Sequence, residues 1–158
     1  MGKRGIYTDT DGQLHQLIPI YGGSGQRADE TDEEYYERFV AKMLPAGAIC
    51  YEMDEDDAPS DRTFRNAWEC PTGVIQVNMD KARVIHMDAI RVVRNAELAA
   101  KDITFMRAVE AGDASAQSTI GTEKQVLRDI PATFDLTTDV GTPELLKARW
   151  PTELPARE

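Results

Sequence analysis

NMDKARVIHMDAIRVVRNAELAAKDITFMRAVEAGD, residues 78–113, decides the fold. No glycine or proline interrupts residues 79–111. Ala82, Ile85, Ala89, Val92, Ala96, Ala99, Ile103, Met106 and Val109 recur there at spacings of three and four. That period marks one face of an α-helix. Asn78 or Asp80 supplies a capping oxygen at the start, and Gly112 breaks the end. The helix would be about 50 Å long at ~1.5 Å per residue. Asp113 then caps a second helix over 114–129, with Ala116, Ile120 and Leu127 on its apolar side and Ile130 just beyond. A connection as short as Gly112-Asp113 predicts an antiparallel helical hairpin. The second helix reaches about half of the first. The hairpin interface is expected to carry Ile85, Ala89, Val92, Ile103 and Met106, with Ile85, Ala89 and Val92 in the half left uncovered.

Upstream, RGIYT and QLHQLIPI flank DTDG within residues 4–20. Asp-Gly between alternating apolar runs predicts a β-hairpin, because both turn positions tolerate positive φ. Tyr7 and Ile6 would face Leu14, Leu17 and Ile18. Gly22-Gly23-Ser24-Gly25 reads as a loop. Thr31 and Glu34 form a capping box, which satisfies orphan N–H groups at a helix start. Tyr35, Phe39 and Met43, with Tyr36 and Val40 beside them, give that helix its apolar stripe. Pro45 and Gly47 end it. AICYEM (48–53) alternates as a strand, with Ile49, Tyr51 and Met53 on one side. Residues 54–68 read as a loop, and VIQV (74–77) as a second short strand. After Pro131 the pattern predicts a loop, then a short helix started by Thr142-Pro143 and stopped by Pro151, since proline is preformed for the first helical position. The tail TELPARE is expected to be mobile. The fold class is therefore α+β: a small antiparallel sheet with one helix over 1–68, then a long antiparallel hairpin and a short C-terminal helix over 69–158.

Composition excludes several classes. At 158 residues and 41% apolar content, the chain can bury a modest core. No apolar run approaches the ~20 residues of a membrane span. The opening MGKRGIYTDTDG has no apolar stretch for secretion, and Ile6 stands where myristoylation wants Ser or Thr. A cytoplasmic location is expected. Cys50 and Cys70 predict reduced thiols rather than a disulfide framework. The net charge is −10, and residues 29–61 alone carry an excess of ten acids over the two bases Arg38 and Lys42. Such a surface repels phosphate, so direct nucleic-acid binding is not expected. The long helix carries charges of both signs, as a solvated face does.

Chemistry-bearing motifs are thin. Residues 54–57 offer consecutive acids without the glycine of a calcium loop, and Asp9-Thr10-Asp11-Gly12 matches only half of one. No metal and no cofactor is expected. His15 and His86 have no nucleophile at a telling spacing. GGSG lacks the Gly-Lys-Ser/Thr of a phosphate loop. The chain is expected not to be an enzyme.

One stretch invites another reading. DAPSDRTFRNAW (57–68) places Arg62, Phe64, Arg65 and Trp68 directly after the carboxylates. Arginine pairs with carboxylates bidentately and stacks on aromatic faces. The four residues are expected to form a joint between lobes, Phe64 and Trp68 as anchors and the arginines as clamps, with a partner-binding epitope as the alternative.

DRTFRNAW, the long-helix stretch, KQVLRDIPA and TPELLKARWP, in that order, resemble small tail-associated proteins of tailed bacteriophages. The helical part is similar to the phage tail assembly chaperone family. Its R-x-x-R-N ahead of an Asp falls on Arg91, Arg94, Asn95 and Asp102, and its late K/R-Q-x-L-R-D-I-P on Gln125, Leu127, Arg128, Asp129 and Pro131. Asp102 is followed by Ile103-Thr104 where the family carries an aromatic. The resemblance covers roughly residues 55–150. It implies a non-enzymatic protein that binds other tail proteins, as a virion component or an assembly factor, and that forms a homo-oligomer or part of a larger assembly. It places the chain in the host cytoplasm during assembly, or in the virion tail. A different class stays open: an acidic inhibitor that uses residues 29–61 to occupy a basic site on a host protein.

Overall fold

The computed structural model describes residues 2–157, without the side chain of Glu55. Met1, Glu158 and the Glu55 carboxylate of the acidic run lie outside the described residues. The fold is α+β, and the chain divides into two compact units, one up to Asn78 and one from Met79 on. The expected boundary after Trp68 moves to Asn78 for a simple reason. β4 (Trp68–Glu69) pairs antiparallel with β5 (Gln76–Val77), so residues 69–77 return to the first unit.

In the first unit, β1 (Lys3–Thr8), β2 (Leu14–Leu17) and β3 (Cys50–Asp54) form an antiparallel sheet in the order β2-β1-β3. The register sets Ile6 opposite Gln16 and Tyr51, and Tyr7 opposite His15 and Cys50. Alternation then gives the sheet two faces. On one, Ile6, Met53 and Cys70 form a buried cluster with Leu14, Tyr51, Ala58 and Ile75 against it. On the other lies α1 (Asp32–Met43), started by the expected Thr31–Glu34 capping box. The Tyr36 hydroxyl donates to the Arg4 carbonyl at 3.3 Å, and Lys3 reaches Glu33 at 2.6 Å and Glu52 at 2.9 Å. The α1 stripe is deepest at its start: Tyr35 and Tyr36 are buried, whereas Met43 is exposed.

The first hairpin closes through a longer loop than a two-residue Asp-Gly turn. The Asp9 carboxylate accepts from the Asp11 and Gln13 N–H groups at 3.0 and 2.8 Å, and only Gly12 takes a positive φ, 76°. A side chain that satisfies its own turn removes the need for positive φ at both positions.

Gly5 marks a close approach on the α1 side. A Cβ there would lie 2.8 Å from Cys50 Sγ and 3.5 Å from the Tyr36 hydroxyl. Gly5→Val is expected to cost about 1–3 kcal/mol through overpacking. Thermal melting checks this, and adding Cys50→Ala should recover part of the loss.

In the second unit, α2 (Met79–Glu110) ends where the sequence predicts. Gly112 takes φ 67°, its N–H bonds to Val109 at 3.0 Å, and the Asp113 N–H bonds to Ala108 at 2.9 Å. These bonds satisfy the last helical carbonyls in a Schellman arrangement. α3 (Ala114–Thr133) starts at Asp113, whose carboxylate accepts from the Ala116 N–H at 2.9 Å. It runs through Pro131 instead of stopping before it. Proline removes one hydrogen bond, here within the last turn, while buried Ile130 holds the backbone and Phe134 closes it at 2.8 Å. α4 (Pro143–Ala148) follows, capped by Thr142.

The tail is not loose. Pro151 and Leu154 are buried, and the Trp150 Nε1–H donates to the Pro155 carbonyl at 2.9 Å. Arg157 lies 5.1 Å over the Trp150 ring. Buried Pro151 and Leu154 hold the segment down as a strap, which the composition alone reads as mobile. Among the described residues, no helix is long and apolar enough to cross a membrane.

Candidate functional site

The Arg62–Trp68 segment lies inside the first unit. Phe64, Ala67, Trp68 and Cys70 are buried, separated by a single 3-10 turn, Arg65–Ala67. The Asn78 N–H donates to the Ala67 carbonyl at 2.8 Å and ties the segment to the strand that follows. Phe64 and Trp68 are thus buried within the first unit. The arginines are not clamps. Both are exposed, and among the described residues neither makes an ion pair or a ring contact. Three of the nearby carboxylates have other partners. Glu52 pairs with Lys3, Asp57 accepts from the Asp54 N–H at 3.0 Å, and Asp61 accepts from the Thr63 N–H at 2.9 Å and its hydroxyl at 2.6 Å. Short carboxylates beside their own backbone bond to it in preference to a distant guanidinium. Arg65 instead lines a polar cleft of about 160 Å³ with Gln13, Gln16 and Asn66.

The two faces of α2 differ from the sequence expectation. The covered line runs through Ala82, His86, Ile90, Leu98, Lys101, Phe105 and Ala108, all buried or half-buried. The line chosen from apolar spacing points outward over most of its length. Val92 is 70% exposed, Ile103 57% and Met106 57%, and Ala96 and Ala99 are exposed with them. Only its start is covered: Ala82 is buried and Ile85 and Ala89 are half-buried. So Ile103 and Met106 do not pack between the two helices. The covered seam uses Lys101, bonded to Glu123 at 2.7 Å, and Lys124, which pairs with Asp102 and lies 5.0 Å over the Phe105 ring. Lysine stems bury their methylenes while the charge stays wet. A count of apolar letters misses such a seam.

The C-terminal strap completes the upper part of this face. Ala89, Val92 and Val93 of α2, with Trp150, Pro155 and Arg157 of the strap, line a groove of about 670 Å³. Beneath it His86 is buried, its Nε2 is 2.6 Å from the Arg149 carbonyl, and its ring meets Trp150 edge-on at 5.9 Å. A carbonyl only accepts, so Nε2 carries the proton. Burial holds His86 below its ordinary value; the Arg149 bond opposes this, and the Arg157 charge adds to it. The folded chain thus keeps His86 neutral after the unfolded chain has begun to protonate. This stability is complete above an unfolded value of about 6.5 and is lost as pH falls toward the lower folded value. The melting temperature is expected to be lower at pH 5 than at pH 7.5, and His86→Leu should show a smaller difference in the same melts.

Other titratable groups serve structure. Arg38 grips Glu30 through Nε at 2.6 Å and Nη2 at 2.7 Å, which holds the Glu30 carboxyl down to about 2. His15 lies 2.7 Å from Asp9 and stacks on Tyr7 at 5.1 Å. Cys50 and Cys70 are free thiols, both pushed up by burial. Among the described residues, no three metal-ligating side chains come together. Set against family models, curated proteins and solved structures, the chain matches none.

Proposed function

We propose that the chain is a non-enzymatic binding protein of the bacteriophage tail, a virion component or an assembly factor, that binds other tail proteins through its α2–α3 hairpin. The observation that carries the binding role is the row Val92, Ala96, Ala99, Ile103 and Met106, exposed along one rigid helix. Single exposed apolar residues are ordinary, but a contiguous row tends to mark an interaction site. The tail assignment rests on the motifs at Arg91–Asp102 and Gln125–Pro131. The protein would work in the host cytoplasm during assembly and, as a virion component, in the tail. In the acidic segment of the alternative reading, Glu30, Glu33 and Glu52 pair with Arg38 and Lys3.

Mass spectrometry of purified particles from a phage encoding this chain tests the proposal. Stoichiometric presence identifies a virion component. Absence from particles, with a tail-protein complex in infected cells, identifies an assembly factor. Absence from both overturns the tail reading.

A further inference from the structure

The outer face of α2 has a pattern that fits itself. At about 100° per residue, Ile85, Val92, Ala96, Ala99, Ile103 and Met106 fall within a sector of roughly 80°. Small residues occupy the middle of the row and larger ones its two ends. Laid antiparallel on a second copy, with a two-fold axis near Ala96, the row meets its complement. Alanine lies on alanine at the centre, Ala89 faces Ile103 of the second copy, and Ile85 faces Met106 of the second copy. Small side chains at a crossing let two helices approach closely, and larger ones on either side interdigitate.

Charge supports the same register. Arg91 and Asp102 share one flank of the row, and in this arrangement each lies opposite the other across the axis. Both halves of the network already stand within one copy: Arg91 bonds Asp88 at 2.7 Å, and Lys124 pairs with Asp102. A guanidinium has donors left after one carboxylate contact, so Arg91 can bridge its own Asp88 and Asp102 of the second copy. Lys81 and Glu110 meet at the two ends of the seam. Opposite charges face one another across the axis at each of these places.

The groove beside Val92 provides the receiving site. It borders the row at Ala89 and Val92, which Ile103 of the second copy faces in this register, and its far wall is Trp150, Pro155 and Arg157. We infer that two copies of this chain pair antiparallel through the outer face of α2, about a two-fold axis near Ala96, with Ile103 of each seated in the other's Val92–Trp150 groove. This deepens the hairpin-binding reading and rests on it, since the pairing uses one helix of the same hairpin.

Sedimentation of the full chain, with far-UV circular dichroism as the fold control, tests the pairing. The expected result is a dimer that Ile103→Asp weakens at least ~30-fold without loss of fold, as for a central anchor. Arg91→Asp and Asp102→Arg should each weaken it, and the two together should restore part of the affinity. Trp150 is half-exposed and Trp68 is buried, so emission should shift to the red on dilution as Trp150 meets water. A wild-type chain that stays monomeric at its highest soluble concentration overturns the pairing, and so does a dimer indifferent to Ile103→Asp. An Ile103→Asp chain that unfolds also overturns it, because Ile103 would then be core. None of these outcomes touches the tail reading, which the protein content of particles and infected cells decides.

Discussion

Ile90→Asp is expected to unfold the helical unit, whereas Val92→Asp, two residues along the same helix, is expected to leave it folded. Ile90 is 0% exposed and Val92 70%. Removing a buried isoleucine side chain costs about 2–5 kcal/mol. A carboxylate put in its place must also be desolvated or protonated, which adds several kcal/mol more. Together these approach the ~5–15 kcal/mol that holds a typical domain. An exposed site changes stability by about 0.5 kcal/mol or less, a shift of roughly 2–4 °C. Far-UV circular dichroism melts in dilute solution check both. Equal losses from the two changes would mean that α2 is covered all round.

Trp68→Ala is expected to cost about 3–5 kcal/mol, as for other buried tryptophans. The ring is almost fully buried in a strand of two residues, and Asn78 holds the neighbouring Ala67 carbonyl. So short a ladder contributes few backbone bonds, and the side chain must supply most of the hold. Arg62→Ala and Arg65→Ala are expected to stay within about 0.5 kcal/mol of the parent, because both side chains are exposed. Denaturant titration of the three variants separates an anchor from a clamp. A large loss from either arginine change would restore the clamp.

Where local chemistry acts alone, the sequence was legible. The Thr31–Glu34 box starts α1, and Gly112 ends α2 through its positive φ. Both are decided within one turn of chain. The strands around Ile6 and Met53 were legible because their alternation matches one buried face. Features set by tertiary packing were not. β4 is two residues long, and only its pairing with Gln76 and Val77 makes it a strand. Pro131 should stop a helix, yet buried Ile130 carries it one turn further. The strap holds because Trp150 finds the Pro155 carbonyl, a contact that no spacing rule contains.

The candidate site shows the same division. Phe64 and Trp68 are large and apolar, and both are buried. The clamp failed because Asp57 and Asp61 bond to nearby backbone N–H groups instead of to the arginines. On α2 two stripes compete. The more apolar one faces out, and the covered one mixes alanine, a neutral histidine and lysine stems. Periodicity finds a helix with certainty of period but not of direction, because His86 and Lys101 count as polar letters and pack as apolar bodies.

The central claim is that the outer row of α2 is a binding face and not an unfinished core. Light scattering on the Val92→Asp/Met106→Asp double variant beside the wild type, with circular dichroism on the same samples, tests it most directly. The expected result is a wild-type chain that associates and a double variant that is monomeric with unchanged helix content. A double variant that loses its helix, or one that associates as the wild type does, would contradict it.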